Sequence, residues 1–117
     1  MIFRTATAAI TANPAHQLIV GEAAGQIIAT AQLTILDGLS RNGTRRCLIE
    51  GVRVAAAHRS KGLGAALMTK CEARAVAAGA WVMQLTTDKT RHDVHRFYEG
   101  LGFKASHIGM KKQLFLS

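Results

Sequence analysis

Residues 52–67 have the sequence VRVAAAHRSKGLGAAL, which predicts a strand, a loop and a helix in direct succession. The β-branched residues Val52 and Val54 are typical of the end of a strand. A basic loop with two glycines follows, and a helix of small and aliphatic residues begins directly after it. This order brings backbone N–H groups and a helix N-terminus together, which favours the binding of an anion such as phosphate.

The length and composition predict one domain that covers residues 1–117. With 49% hydrophobic and 19% charged residues, the chain can bury a core. It contains no run of about 18 apolar residues, so we expect no membrane-spanning helix. The first residues also lack the apolar region of a secretory signal. We interpret Cys47 and Cys71 as buried, reduced thiols of a cytoplasmic protein rather than a disulfide or a metal site.

The net charge of +8, from 15 Lys and Arg against 7 Asp and Glu, allows three interpretations. The basic residues could form a solvated face, bind nucleic acid, or hold an anionic small ligand near the loop at 59–64. Aromatic side chains that could stack bases are almost absent between them, which makes nucleic acid an unlikely partner. His92 and His95 are three residues apart, but no further ligands complete a metal site, so we predict none.

Hydrophobic periodicity predicts alternating strands and helices. In chain order, these are a helix over about 3–12, strands over 17–20, 26–36 and 45–54, a helix from 63 to a glycine at 79, a strand over 81–86, a helix over 91–99, and strands at 103 and over 109–116. The strand, helix and strand between 45 and 86 form a βαβ unit with parallel strands. Gly51 is unfavourable inside a strand and suggests a bulge or a close approach by another backbone.

The loop glycines alone identify no ligand. The sequence lacks the Gly-Lys-Ser/Thr ending of a Walker motif, and Leu67 stands where a dinucleotide fingerprint has its third glycine. Together with residues 97–103, FYEGLGF, the loop nevertheless resembles the GNAT superfamily of N-acetyltransferases. Residues 59–64 resemble its Arg/Gln-x-x-Gly-x-Gly/Ala motif, and Tyr98 to Phe103 resembles its Tyr-x-x-x-Gly-Phe helix end. The resemblance covers about residues 17–117.

The resemblance implies an α/β (α+β) fold, with a mixed, mostly antiparallel sheet flanked by helices, one βαβ crossover and a splayed groove for acetyl-CoA. Strand-like hydrogen bonds would join the pantetheine arm to the chain at Val52, Arg53 and Val54. The pyrophosphate would lie against the main-chain N–H groups of Arg59, Ser60, Lys61, Gly62, Leu63, Gly64 and Ala65. Arg91 stands where the family often has an asparagine, and it could reach a coenzyme A phosphate.

Two side chains are candidates for proton transfer. By resemblance, Tyr98 is the general acid that protonates the departing thiolate, and a phenol with a pKa near 10 is a suitable donor. The alternative is an aromatic core residue beside Phe97. Glu50 is the candidate general base for the amine, and the alternative is a carboxylate paired with Arg45, Arg46 or Arg53.

The sequence departs from the family pattern at two places. Ser60 stands where glycine is most common, which is tolerated if its φ is negative. Only residues 1–14 precede the first hairpin, so we expect that the usual first strand and helix are missing. An open sheet edge is a liability in a monomer, which predicts a homodimer. We predict acetyl transfer from acetyl-CoA to a primary amine in a ternary complex. The alternatives are a non-catalytic acyl-CoA-binding module and, less favoured, a nucleic-acid-binding protein.

Overall fold

The structure is a computed structural model, and it describes residues 2–6, 15–38 and 43–115. The chain divides into two compact units, Met1–Leu85 and Thr86–Ser117. The first unit contains the sheet and the longer helix, and the second contains the shorter helix and the C-terminal segment. The expectation of a single domain stays a prediction.

The first unit is built on a sheet with the strand order β1-β2-β3-β4-β5 in the described residues. The strands are β1 (Ile2–Ala6), β2 (His16–Ala23), β3 (Gln26–Asp37), β4 (Arg45–Val54) and β5 (Val82–Gln84). Neighbouring strands are antiparallel except for β4 and β5, which are parallel and joined through a helix. The predicted mixed, mostly antiparallel sheet with one βαβ crossover is confirmed.

The beginning of the chain corrects our prediction. Residues 3–6 belong to β1 and not to a helix, and β1 pairs antiparallel with β2. The Arg4 Nε donates a hydrogen bond of 2.6 Å to the Glu22 carboxylate across this pair. Ile2, Phe3 and Thr5 have strand propensity, and pairing with β2 outweighs the helix preference of the neighbouring alanines. A first strand is therefore present, and the rest of the predicted helix, residues 7–12, lies outside the described residues.

The hairpin of β2 and β3 agrees with the sequence pattern. Its two turn residues, Ala24 and Gly25, have φ of 52° and 77°, as a tight hairpin turn with the right-handed twist of strands requires. The period-two alternation of β3 places Ala31 and Leu33 on a face that is fully buried. This face is the main support of the longer helix.

The longer helix, α1 (Leu63–Ala77), packs against β3 and β4. Its buried side chains are Leu67, Met68, Cys71 and Ala75. Val76, which we predicted in the apolar stripe, is 69% exposed, because it lies one position beyond the buried face. Gly79 has a φ of +80° and ends the helix in a Schellman motif, with Ala80 N–H donating to the Ala75 carbonyl.

The second unit contains α2 (His92–Gly100), close to the predicted 91–99. The Asp88 carboxylate accepts hydrogen bonds from the Thr90 hydroxyl and N–H, and these hydrogen bonds lower the pKa of Asp88. The predicted strands at 103 and 109–116 are wrong for the described residues, since 103–115 contain no strand. The alternation at Ile108 and Met110 is typical of a strand, but a strand also needs a hydrogen-bonded neighbour.

Cys47 on β4 and Cys71 on α1 are free, fully buried thiols, as predicted. Burial raises the pKa of Cys47 to about 11. Burial and the neighbouring Cys47 raise the pKa of Cys71 to about 12. The folded chain therefore keeps protons that an unfolded chain loses near pH 9, and we expect the free energy of unfolding to fall as the pH rises from 9 towards 11.

Alkylation with iodoacetamide at pH 7.5 tests this protection. Because only the thiolate reacts, a pKa of about 11 lowers the reaction rate of Cys47 roughly 100-fold below that of an unfolded thiol. Mass spectrometry should find both cysteines unmodified in the native protein and modified in 6 M guanidinium. Rapid modification of either cysteine in the native protein would contradict the buried positions.

Candidate active site

The end of β4 leads into α1 through a short 3₁₀ helix, Ala56–His58, and a turn at residues 59–62. The Arg59 Nε donates a hydrogen bond of 3.1 Å to the carbonyl of Val54, which ties the loop to the end of the strand. Lys61 is exposed. The sequence thus places two cationic side chains at the turn, and one of them also stabilises its backbone.

The N-terminus of α1 has no side-chain cap. Its N-cap residue is Gly62, in the left-handed conformation with a φ of 75°, and the first turn contains no acidic residue. The N–H groups of the first turn, at Leu63, Gly64 and Ala65, therefore lack a side-chain acceptor among the described residues. A Cβ built at Gly62 would meet no atom within 4 Å, so the space beside the turn is open. An anion fits this arrangement through hydrogen bonds and the helix dipole.

We expected Ser60 to be tolerated if its φ is negative, and the structure does not meet this condition. The φ of Ser60 is +64°, a left-handed conformation that costs a non-glycine residue about 1–2 kcal/mol. The loop thus has two left-handed residues, Ser60 and Gly62, and only one of them is a glycine. The chain keeps a strained serine at a turn that glycine would fit without strain.

Substituting Ser60→Gly should raise the free energy of unfolding by about 0.5–1 kcal/mol, since relief of the left-handed strain exceeds the added entropy of the unfolded chain. Chemical denaturation measures the change. The matched control is Ser60→Ala, which removes the hydroxyl but keeps the strain and should leave stability within about 0.5 kcal/mol of the wild type. Equal stabilisation by both variants would mean that the hydroxyl, and not the backbone, is the cause.

Gly51 forms the predicted bulge in β4. The register moves from Gln32 opposite Glu50 to Thr30 opposite Arg53, so β4 has one residue more than β3 in this interval. Gly51 has a φ of +60°, and its carbonyl accepts a hydrogen bond of 3.4 Å from the Thr30 hydroxyl. An extra residue shifts the alternation of the strand. The side chains of Val52 and Val54 consequently lie on the opposite face of the sheet from the one they would occupy in a strand without the bulge.

Glu50 is exposed, and its side chain forms no ion pair with a described residue. The arginines named as alternative partners are engaged elsewhere or lack a partner in the described part of the chain. Arg45 pairs with Asp37 at 2.7 Å, and that hydrogen bond raises the pKa of Arg45. Arg46 donates to the Gln84 side chain at 3.3 Å. The Glu50 carboxylate is therefore available as a proton acceptor.

The structure brings together the candidates from Glu50 to Ala65 in the first unit, whereas Tyr98 and Arg91 belong to the second. Tyr98 lies on α2 between the rings of Phe97 and Phe103, with centroids 5.1 and 5.6 Å away in edge-to-face geometry. Arg91 is the N-cap residue of α2. These contacts hold the Tyr98 ring in place.

Gln32 and Thr30 are not among the site residues that the sequence predicts. They lie on β3 directly opposite Glu50 and Arg53. The period-two pattern of β3 shows that both alternate with buried alanines. It does not show their partners on β4, because that register depends on the bulge.

The mixed sheet, the bulged β4 and the α1 N-terminus without a side-chain cap define an α+β fold with a strand-to-helix junction at residues 55–62. The chain belongs to the acetyltransferase (GNAT) family, whose model matches residues 3–103. Family membership supports acetyl transfer as its general chemistry, and the family normally uses acetyl-CoA. Among curated proteins no match was found.

Solved structures with the same fold support this assignment. A transcriptional regulator from Bacillus halodurans C-125 is 42% identical, with a TM-score of 0.86 over 90% of this chain and 70% of that one. A glucosamine-6-phosphate N-acetyltransferase from Arabidopsis thaliana is 25% identical, with a TM-score of 0.78 over 90% and 71%. An acetyltransferase from Trypanosoma brucei is 27% identical, with a TM-score of 0.77 over 89% and 72%.

Proposed function

We propose that the protein transfers an acetyl group from acetyl-CoA to a primary amine of a small molecule or peptide. The observation that carries this proposal is the junction of β4 and α1, where a bulged strand ends at a helix N-terminus without a side-chain cap. Main-chain N–H groups of residues 59–65 would bind the pyrophosphate of the coenzyme. Val52, Arg53 and Val54 would bind the pantetheine arm through their backbone, and Arg91 a phosphate.

Acetyl-CoA supplies an activated thioester, and residues of this chain accept and donate the protons of the transfer. Glu50 takes a proton from the ammonium group of the acceptor, directly or through water, so that the free amine can attack. The carbon–nitrogen bond forms as the carbon–sulfur bond breaks, in a ternary complex without a covalent enzyme intermediate. Main-chain N–H groups near Val54 polarise the carbonyl, and Tyr98 gives its phenolic proton to the sulfur. The second proton that the attacking nitrogen loses as the amide forms returns to the phenolate of Tyr98 through water.

Release of coenzyme A thiol from acetyl-CoA, followed with and without a panel of primary amines, tests the function. We expect release that depends on an amine and is lowered by Glu50→Gln. Binding of coenzyme A without release for any amine would favour a non-catalytic acyl-CoA-binding module. Gel shifts with nucleic acid that weaken steeply with salt and ignore coenzyme A would favour the third interpretation.

We also propose a cytoplasmic homodimer. No helix among the described residues has the length and apolar character to cross a bilayer. Cytoplasmic conditions would keep the two thiols reduced. The sequence predicted a dimer because the first strand was expected to be missing, but β1 is present. The proposal is supported by β1 and β5, which are the edges of the sheet in the described residues. Ile2 on β1 is 68% exposed, and Trp81, directly before β5, is 83% exposed. Sedimentation at micromolar concentration should give a dimer, and a monomer would contradict the proposal.

A further inference from the structure

The bulge at Gly51 places two opposite charges on one face of the sheet. Glu50 and Arg53 lie on the two sides of the bulge and pair with Gln32 and Thr30 of β3, respectively. Cys47 and Ile49 are buried on the side of the sheet that faces α1. Because successive side chains of a strand point to opposite faces, Glu50 lies on the face away from α1. We call Thr30, Gln32, Glu50 and Arg53 the polar quartet.

The two charges of the polar quartet do not neutralise each other. Both Glu50 and Arg53 are exposed, and no hydrogen bond or ion pair joins either side chain to another described residue. Thr30 is oriented by its hydrogen bond to the Gly51 carbonyl. The proposed coenzyme contacts use only the backbone of Arg53, so they leave its guanidinium unexplained. A carboxylate and a guanidinium that stay apart can receive the two ends of a ligand with complementary charges.

We propose that the acceptor amine carries an anionic group, a carboxylate or a phosphate, and that the Arg53 side chain binds this group while Glu50 receives the amine. This inference rests on the proposed acetyl transfer. Arginine offers a planar fork that matches the oxygens of both anions. Gln32, opposite Glu50, adds a neutral donor and acceptor to the same face.

The geometry limits the size of the acceptor. Three residues of a strand span about 10 Å, and the bulge shortens the path between Glu50 and Arg53. The amine and the anionic group are therefore separated by a few bonds, as in an α-amino acid or an aminoalkyl phosphate, and a polyamine would place a second cation against Arg53.

Matched pairs of acceptors test the inference through kcat/KM of acetylation. Serine is compared with serinamide, and phosphoethanolamine with ethanolamine, so that each pair differs in its anionic group. We expect the wild type to prefer the anionic member of at least one pair by 10-fold or more, and the favoured pair tells carboxylate from phosphate. Arg53→Gln should lower this preference about 10- to 100-fold through KM, since it removes a charge-assisted contact.

The control is Arg46→Gln, which removes the same charge from the same strand, two alternations away from Glu50 on its face. It should leave the preference unchanged, and Arg53→Lys should restore part of it. The affinity of Arg53→Gln for coenzyme A should fall much less than its preference for anionic acceptors, because the proposed coenzyme contact uses only the backbone of Arg53. An unchanged preference in Arg53→Gln, or a wild type that prefers the neutral amines, would overturn the inference while acetyl transfer stands.

Calorimetry distinguishes failure of the proposed anion site from failure of the proposed acetyl transfer. Serine and phosphoethanolamine are titrated into the protein saturated with coenzyme A, where no transfer can occur. Binding to the wild type that weakens at least 10-fold in Arg53→Gln would support the anion site even if no amine is acetylated. Absence of binding by both compounds would overturn it.

Discussion

Substituting Tyr98→Phe should lower kcat for acetyl transfer by about 100-fold or more, the usual contribution of a positioned general acid. The aromatic ring remains, so the edge-to-face contacts with Phe97 and Phe103 are kept. The variant should therefore fold normally and bind coenzyme A with nearly wild-type affinity. Stopped-flow or steady-state thiol release gives kcat, and calorimetry gives the affinity.

The matched control for Tyr98→Phe is Phe97→Leu, which removes one ring contact and keeps the phenol. If Tyr98 acts through its proton, Phe97→Leu should affect stability more than kcat, and Tyr98→Phe should do the reverse. If Tyr98→Phe leaves turnover intact, Tyr98 is an aromatic packing residue of α2 and another group protonates the thiolate.

The sequence predicts those elements whose residues determine their partners locally. The hairpin of β2 and β3, the whole of β4 and the βαβ unit follow from turn residues and from periods of 2 and 3.6. The ends of the chain do not follow in this way. Ile2–Ala6 form a strand because β2 offers an edge, and residues 109–115 alternate like a strand without forming one. Pairing is a tertiary property, so a local pattern decides neither segment.

The residues of the candidate site likewise fall into two groups, those that a local pattern predicts and those that depend on tertiary structure. The two motifs suggest the loop from Arg59 to Ala65 and Tyr98, because these residues follow short patterns. Glu50 is suggested by its place before Gly51 and by resemblance to family members with a glutamate on this strand. The left-handed φ of Ser60 could not be predicted, since serine rarely adopts it and only the surrounding turn imposes it. The polar quartet could not be predicted from the sequence, because a single extra residue in β4 determines which β3 residues pair with Glu50 and Arg53.

Substituting Gly51→Val should destabilise the protein by about 1–3 kcal/mol and weaken coenzyme A binding. A Cβ at this position meets nothing within 4 Å, so the cost comes from the backbone and not from a clash. At a φ of +60° a β-branched residue is an outlier. The strand can escape this strain only by losing the bulge. That loss would turn Val52 and Val54 to the other face and separate Arg53 from Thr30.

Gly51→Asn is the control that separates conformation from side-chain volume. Asparagine adds a side chain of similar size but tolerates the left-handed region, so it should lose less than half of the stability that valine loses. Denaturation and coenzyme A titration on the same samples then have a defined pattern: both quantities fall together for Val and remain close to wild type for Asn. Equal losses for the two variants would mean that space beside Gly51, and not its left-handed backbone, shapes the groove, and the bulge would then lose its role in orienting Glu50 and Arg53.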